Sequence, residues 1–253
     1  MKLFKEILVI IGVLTIGFLL YTILFTTITI TNTNNDKSFI KKPLVTFQNE
    51  NPIGTILEGT SKENKDYTAS SELTKQLISQ TVSIVMVDNG IGSCSGTIIA
   101  ENEKNHYVLT AKHCIGINEE MYVEHNKVLY ITTSIADDIA LIIVDGKIPN
   151  KTVAKLAEQS ANLGDTVHHV AYPSGIIYKR SGKVTRITND WVWFNFKAIG
   201  GCSGGGIFNK KGELVSVLWG GFRYPKKDAP IKSVAEPLKD IKIFLSTITG
   251  NKL

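Results

Sequence analysis

Cysteine is scarce in this chain of 253 residues: there are three, so disulfide bonding can reach one pair at most and leaves a thiol over. Runs of like charge are missing as well. The formal net charge is +5, Lys and Arg are scattered rather than bunched, and no recognisable nucleic-acid motif accompanies them. This favours an ordinarily solvated surface over a DNA- or RNA-binding one. No Cys or Asp cluster joins the adjacent His168 and His169. Neighbouring strand residues point to opposite faces, so the pair reads as ordinary strand histidines and calls for no metal.

Charge is absent altogether from Ile7 to Ile30, ILVIIGVLTIGFLLYTILFTTITI. A helix of that length spans a bilayer core of about 30 Å with some tilt. The shorter apolar region and small-residue cleavage site of a secretory leader are not evident. Residues 1–30 therefore read as a short cytoplasmic stub and an uncleaved transmembrane signal anchor. Lys2 and Lys5 flank the inner end, and Lys37, Lys41 and Lys42 beyond the outer end reduce the charge bias. The expected topology is single-pass, with the bulk of the chain on the extracytoplasmic side. Residues 31–68, rich in Asn, Thr, Lys and Glu, cannot bury enough surface to offset their ordering entropy and read as a polar stalk.

With 43% hydrophobic and 20% charged residues overall, the remainder has ample material for one domain or two small subdomains. It should open with a helix capped by Ser70 or Ser71 ahead of ELTKQLIS. Short apolar or alternating runs follow at 82–87, 94–100, 106–110, 121–123, 128–132 and 139–144, with Asn89-Gly90 as a hairpin turn. A second set occupies 166–171, 181–187, 191–196, 205–208 and 214–219, and a last helix runs over about 237–248. Within 191–196, Trp191, Trp193 and Asn195 alternate with Val192, Phe194 and Phe196, which reads as a strand packed on both sides. Many short strands at regular spacing predict an all-β barrel or sandwich rather than βαβ units.

The densest chemical signal is AIGGCSGGGIFN, from Ala198 to Asn209. Glycines around Ser203 let the backbone aim successive N–H groups at one spot, as an acyl-transfer site requires for the developing oxyanion. The plainer reading is a glycine-rich turn with an incidental serine. A serine hydroxyl needs a base, and HYVLTAKHCIG places His113 where a β-prone run ends. In SIADDIALIIVDG, Asp138 heads an apolar run, where a carboxylate is costly unless a group such as the His113 imidazole donates to it. Asp137 is the adjacent alternative, and either carboxylate also reads as a solvated strand end.

T-A-K-H-C around His113, D-I-A-L at Asp138 and G-C-S-G-G at Ser203 resemble the three active-site blocks of the chymotrypsin-fold (trypsin-like) serine peptidases, in that family's order. GDTV at 164–167, AYPSG at 171–175, SGKVTRI at 181–187 and KGELVSV at 211–217 are similar to the bacterial HtrA-type branch. The resemblance covers about Thr81 to Leu245, with no appended peptide-binding (PDZ) domain. It implies a double barrel of two six-stranded antiparallel β-barrels, at about 80–147 and 163–235, with a C-terminal helix, all within a peptidase domain at 69–253. The cleft would lie between the barrels.

By the same resemblance, His113, Asp138 and Ser203 are the catalytic residues, and the N–H groups of Gly201 and Ser203 form the oxyanion hole. Lys197, Ala198, Gly200, Leu218, Trp219 and Gly220 would line the substrate groove. Lys197 falls near where trypsins place a pocket-base aspartate, which argues against cleavage after Arg or Lys. Cysteines at the places of Cys94 and Cys114 are bridged in many members; two reduced thiols are the alternative. Cys202 stands where animal digestive members carry an aspartate, so their activation switch is not expected. The family pattern makes Ser203, not Cys202, the nucleophile. The function implied is a membrane-anchored serine endopeptidase acting on protein or peptide substrates without a cofactor. A membrane-tethered pseudoprotease that only binds proteins is the alternative.

Overall fold

Ser70 begins the first regular element: its Oγ accepts the N–H of Leu73, capping helix α1 (Ser71–Gln80), which buries Leu77. The computed structural model describes residues 67–88, 90–116, 120–222 and 232–249. The signal anchor and nearly all of the stalk read from the sequence lie outside the described residues. Among those described, no helix is long and apolar enough to cross a membrane.

Six strands follow α1: β1 (Thr81–Asp88), β2 (Gly90–Glu101), β3 (His106–Thr110), β4 (Glu120–Val123), β5 (Asn126–Thr133) and β6 (Ala140–Val144). They close into a barrel in the order β1-β2-β3-β6-β5-β4, and every pairing is antiparallel. A second barrel is built from β7 (Thr166–Ala171), β8 (Tyr178–Ile187), β9 (Val192–Phe194), β10 (Gly206–Phe208), β11 (Leu214–Phe222) and β12 (Lys232–Pro237). Its strands run β10-β11-β12-β9-β8-β7, again antiparallel. Helix α2 (Leu238–Thr249) follows β12 directly. Closure removes the exposed edges that a sheet would otherwise present. Two closed six-stranded antiparallel barrels with a C-terminal helix make a chymotrypsin-type double barrel.

Three apolar clusters hold this arrangement. Val82, Ile84, Ile98, Val108, Ile142 and Val144 fill the first barrel. Val167, Val184, Phe194, Phe196, Ile207 and Leu218 fill the second. A third joins Leu77 of α1, Leu109 and Leu141 of the first barrel, Phe208 and Val217 of the second, and Ile241 and Phe244 of α2. Each such side chain contributes about 1.5–3 kcal/mol on full burial, so this shared cluster is what docks one barrel against the other.

Two expectations change. Only Val192–Phe194 of the run 191–196 is strand, and only Val192, Phe194 and Phe196 are buried; Trp191 and Trp193 are half-buried and Asn195 is exposed. One face packs on the core because the barrel has a single interior. The other difference is β12: its sequence KSVAEP shows no clean alternation, yet its last five residues are buried. Pro237 ends this strand, and the helix begins one residue later.

Candidate active site

The base candidate sits on a short 3-10 turn, Lys112–Cys114, that continues β3. Its neighbour Cys114 is buried and bonded to Cys94 of β2, with Cα atoms 6.0 Å apart. The two reduced thiols of the alternative reading are therefore replaced by a bridge, which pins the turn to the barrel wall. Asp138 lies just before β6, and its backbone carbonyl accepts the N–H of Lys112 at 3.1 Å. Its carboxylate takes two bonds from one residue: Oδ1 accepts the backbone N–H of His113 at 2.8 Å, and Oδ2 lies 2.5 Å from His113 Nδ1. A carboxylate on Nδ1 holds the proton there and leaves Nε2 as the basic nitrogen. The His113 side chain remains 45% exposed, so the ring is not sealed into the core. Asp137 is turned elsewhere, its Oδ2 accepting the hydroxyl proton of Ser134 at 3.0 Å.

Ser203 comes from the second barrel and is tied to the first. The backbone N–H of Ser95 donates to its carbonyl at 2.8 Å, and Sγ of Cys114 lies 3.7 Å from the same oxygen. The loop before it turns at Gly201, with φ +89°, and the loop after it at Gly204, with φ +80°. In this loop the N–H groups of Cys202, Gly204 and Gly205 donate to the carbonyls of Ile199, Leu218 and Cys202. Those of Gly201 and Ser203 find no acceptor among the described residues. Two unengaged donors flanking a serine are what an oxyanion needs. Cys202, by contrast, is fully buried in the second-barrel core, and burial pushes its thiol up to about 11. Such a thiol is neither exposed nor ionised at neutral pH, which removes it as a nucleophile.

The residues expected to line a substrate groove divide into two kinds. Ala198 and Leu218 are buried; Lys197 and Gly200 are exposed. The Lys197 carbonyl accepts the Tyr178 hydroxyl at 2.6 Å, while its own side chain faces solvent. A side chain added at Gly200 or Gly220 would meet nothing within 4 Å, so open space adjoins both. The β11–β12 register shifts between Leu218 and Gly220, leaving Trp219 unpaired. That irregularity turns the indole into contact with His113, at 6.2 Å between ring centroids, and with Trp191, at 5.7 Å.

Residues that the motifs did not single out complete the site. Ser95 Oγ donates to the Gly201 carbonyl at 2.9 Å and accepts the Tyr172 N–H at 2.8 Å; Ser93 Oγ accepts the Ser174 N–H at 3.0 Å. Glu236 of β12 accepts the backbone N–H of Asp138 on Oε1 at 3.2 Å. Burial, followed by the neighbouring carboxylates of Asp137, Asp138 and Asp240, pushes Glu236 up to about 7. Among the described residues, Asp137, Glu236 and Asp240 are the one group of three side chains with ligand oxygens within 4.8 Å of one another. The histidine pair is structural: His168 Nδ1 meets Ser181 Oγ at 2.8 Å, and His169 Nδ1 donates to the Gly206 carbonyl at 2.9 Å from a fully buried position.

Residues 94–217 match the family model of the trypsin-like peptidase domain. No curated protein matches the chain in sequence. Among solved structures, the serine endoprotease from Yersinia pestis superposes with a TM-score of 0.59 at 18% identity, covering 71% of this chain and 67% of its own. An inactive mutant form of Rv3671c from M. tuberculosis H37Rv superposes with a TM-score of 0.57 at 15% identity, covering 74% of this chain and 98% of its own. At these identities the structural likeness speaks for the fold, and the family model for the domain. The chain carries a trypsin-like peptidase domain of the chymotrypsin fold, the domain of a serine endopeptidase.

Proposed function

We propose that this chain is a membrane-anchored endopeptidase that cleaves peptide bonds through Ser203, His113 and Asp138. His113 Nε2 takes the proton of Ser203 Oγ as the oxygen attacks the substrate carbonyl. Asp138 stabilises the resulting imidazolium, and the N–H groups of Gly201 and Ser203 receive the oxyanion. The imidazolium then protonates the leaving amine, and water repeats the cycle on the acyl-enzyme. The observation that carries this reading is the pair of hydrogen bonds between Asp138 and His113, in a turn whose next residue abuts the Ser203 carbonyl. Trp219 and the open space at Gly200 and Gly220 support a groove for an extended peptide beside it.

The uncharged run at 7–30 supports an anchor that holds the domain on the extracytoplasmic side. A fluorophosphonate probe applied to the full-length chain, with the adduct located by mass spectrometry, tests the mechanism. A single adduct on Ser203, and loss of casein hydrolysis in Ser203→Ala, is expected. Absence of an adduct, or equal hydrolysis by parent and variant, overturns it and leaves the binding scaffold. Membrane fractionation and protease accessibility of the intact cell test the anchor.

A further inference from the structure

We propose that Glu236 is a positioning residue for the His113–Asp138 pair, accepting the Asp138 N–H from the opposite barrel and so fixing the carboxylate that orients the imidazole. This inference rests on the triad reading above. Asp138 is otherwise held by the Lys112 N–H on its carbonyl and by His113 on its carboxylate, and both of those partners belong to the first barrel. Glu236 supplies its bond to the second barrel. That bond crosses the interface on which the nucleophile loop must meet the base, so it holds the acid in register with Ser203.

A carboxyl group is an unusual choice for this place. Glu236 is 3% exposed and faces Asp137 and Asp138 from the first barrel and Asp240 from α2, while Lys239 of α2 is drawn to Asp240 and also senses Asp137 and Asp190. An apolar side chain would avoid the crowding of like charge but leave the Asp138 N–H without an acceptor. As the pH rises through about 7, Glu236 loses its proton and adds a negative charge beside Asp138. The added charge favours the imidazolium and strengthens the acceptor for the Asp138 N–H. A neutral group here would do only half of this.

Parent, Glu236→Ala and Glu236→Gln are compared as full-length chains in detergent. Peptide hydrolysis is followed across pH, and the imidazole of His113 is titrated by NMR after histidine-specific nitrogen labelling. Glu236→Ala should lower kcat about tenfold with KM changing less than about twofold, the signature of a misaligned reacting group rather than lost binding. Glu236→Gln, which keeps an acceptor oxygen, should recover most of that loss. Its acid limb and its His113 titration should lie below those of the parent on the side toward pH 7, where Glu236 ionises, and merge with them at lower pH, where Glu236 is protonated and as neutral as glutamine.

Acid limbs and His113 titrations in both variants that superimpose on the parent overturn the proposal. Should Glu236→Ala fail to fold, the His113 titration of the near-isosteric Glu236→Gln decides alone. The two readings fail separately. A fluorophosphonate adduct on Ser203 with an unmoved His113 titration in Glu236→Gln sinks the role of Glu236 and spares the triad. A shifted titration without any adduct sinks the triad and leaves the coupling between Glu236 and the pair.

Discussion

Ser95 of the first barrel donates its backbone N–H to the carbonyl of Ser203 in the second, at 2.8 Å, while its hydroxyl bridges the Gly201 carbonyl and the Tyr172 N–H. One buried residue thus holds the loop at the serine and two residues before it. Ser95→Ala keeps the first bond and removes the other two, leaving a buried donor and acceptor unpaired. The expected cost is about 1–3 kcal/mol of stability by denaturant titration. Turnover should fall by about tenfold, which corresponds to about 1.4 kcal/mol of lost alignment. A variant matching the parent in both would show that the bridge is idle.

Gly204 has no room to change. Its φ is +80°, and an added Cβ would lie 2.0 Å from Thr110 Oγ1 and 2.3 Å from the Ser95 carbonyl. Gly204→Ala should therefore cost on the order of 3 kcal/mol or more and abolish hydrolysis. Gly200→Ala, with nothing within 4 Å of the new methyl group, should stay within about 0.5 kcal/mol of the parent. Thermal denaturation of the two variants side by side checks the contrast.

The three cysteine sulfurs should react in a fixed sequence. Native chain should take up no alkylating agent, because Cys94 and Cys114 are bridged and Cys202 is buried. Reduction without unfolding should expose up to two thiols, and unfolding under reduction all three. The bridge closes a loop of sequence separation 20, so replacing both cysteines by serine should cost about 3 kcal/mol. Rapid alkylation of Cys202 in the native state would contradict its placement in the core.

His169 makes stability depend on pH. Burial moves its imidazole from an ordinary value of 6.5 down to about 4, with Nδ1–H bonded to Gly206 and Nε2 left without a partner. Between those two values the unfolded chain binds the proton and the folded chain does not. Its contribution is therefore complete above about pH 6.5 and is lost as the pH falls toward 4, by about 3 kcal/mol in total. His169→Asn, which retains a donor for Gly206, should remove that slope in denaturation measured pH by pH. Glu236 acts in the opposite sense: its raised value means that stability drops as the pH climbs from 4.5 to about 7. The two slopes overlap in the parent, so each is read as the difference between parent and variant.

The strands of the first barrel were legible because alternation and turn residues mark them: residues 106–110 are strand as expected, and 166–171 likewise open the second barrel. Ser203, His113 and Asp138 stood out through local context, since glycines, a strand end and an apolar run each restrict what a polar side chain can do there. β12 was not legible. Ser233 and Glu236 break its pattern, and both are satisfied only by distant partners, the Phe196 carbonyl and the Asp138 N–H. Periodicity registers solvent on one side and core on the other, and it cannot register a polar group sealed inside by another segment. Ser95 escaped notice for the same reason: in CSGTIIA it is one more strand residue until the second barrel arrives.

Helix α2 shares its apolar face with α1 and with both barrels through Ile241, Phe244 and Leu77. During translation this helix leaves the ribosome after every strand has been made. Until it docks, the wedge that clamps the two halves is incomplete. Docking of this last segment therefore closes over Leu109 and Leu141 of the first barrel and Phe208 and Val217 of the second at once, and completes the core that the two halves share.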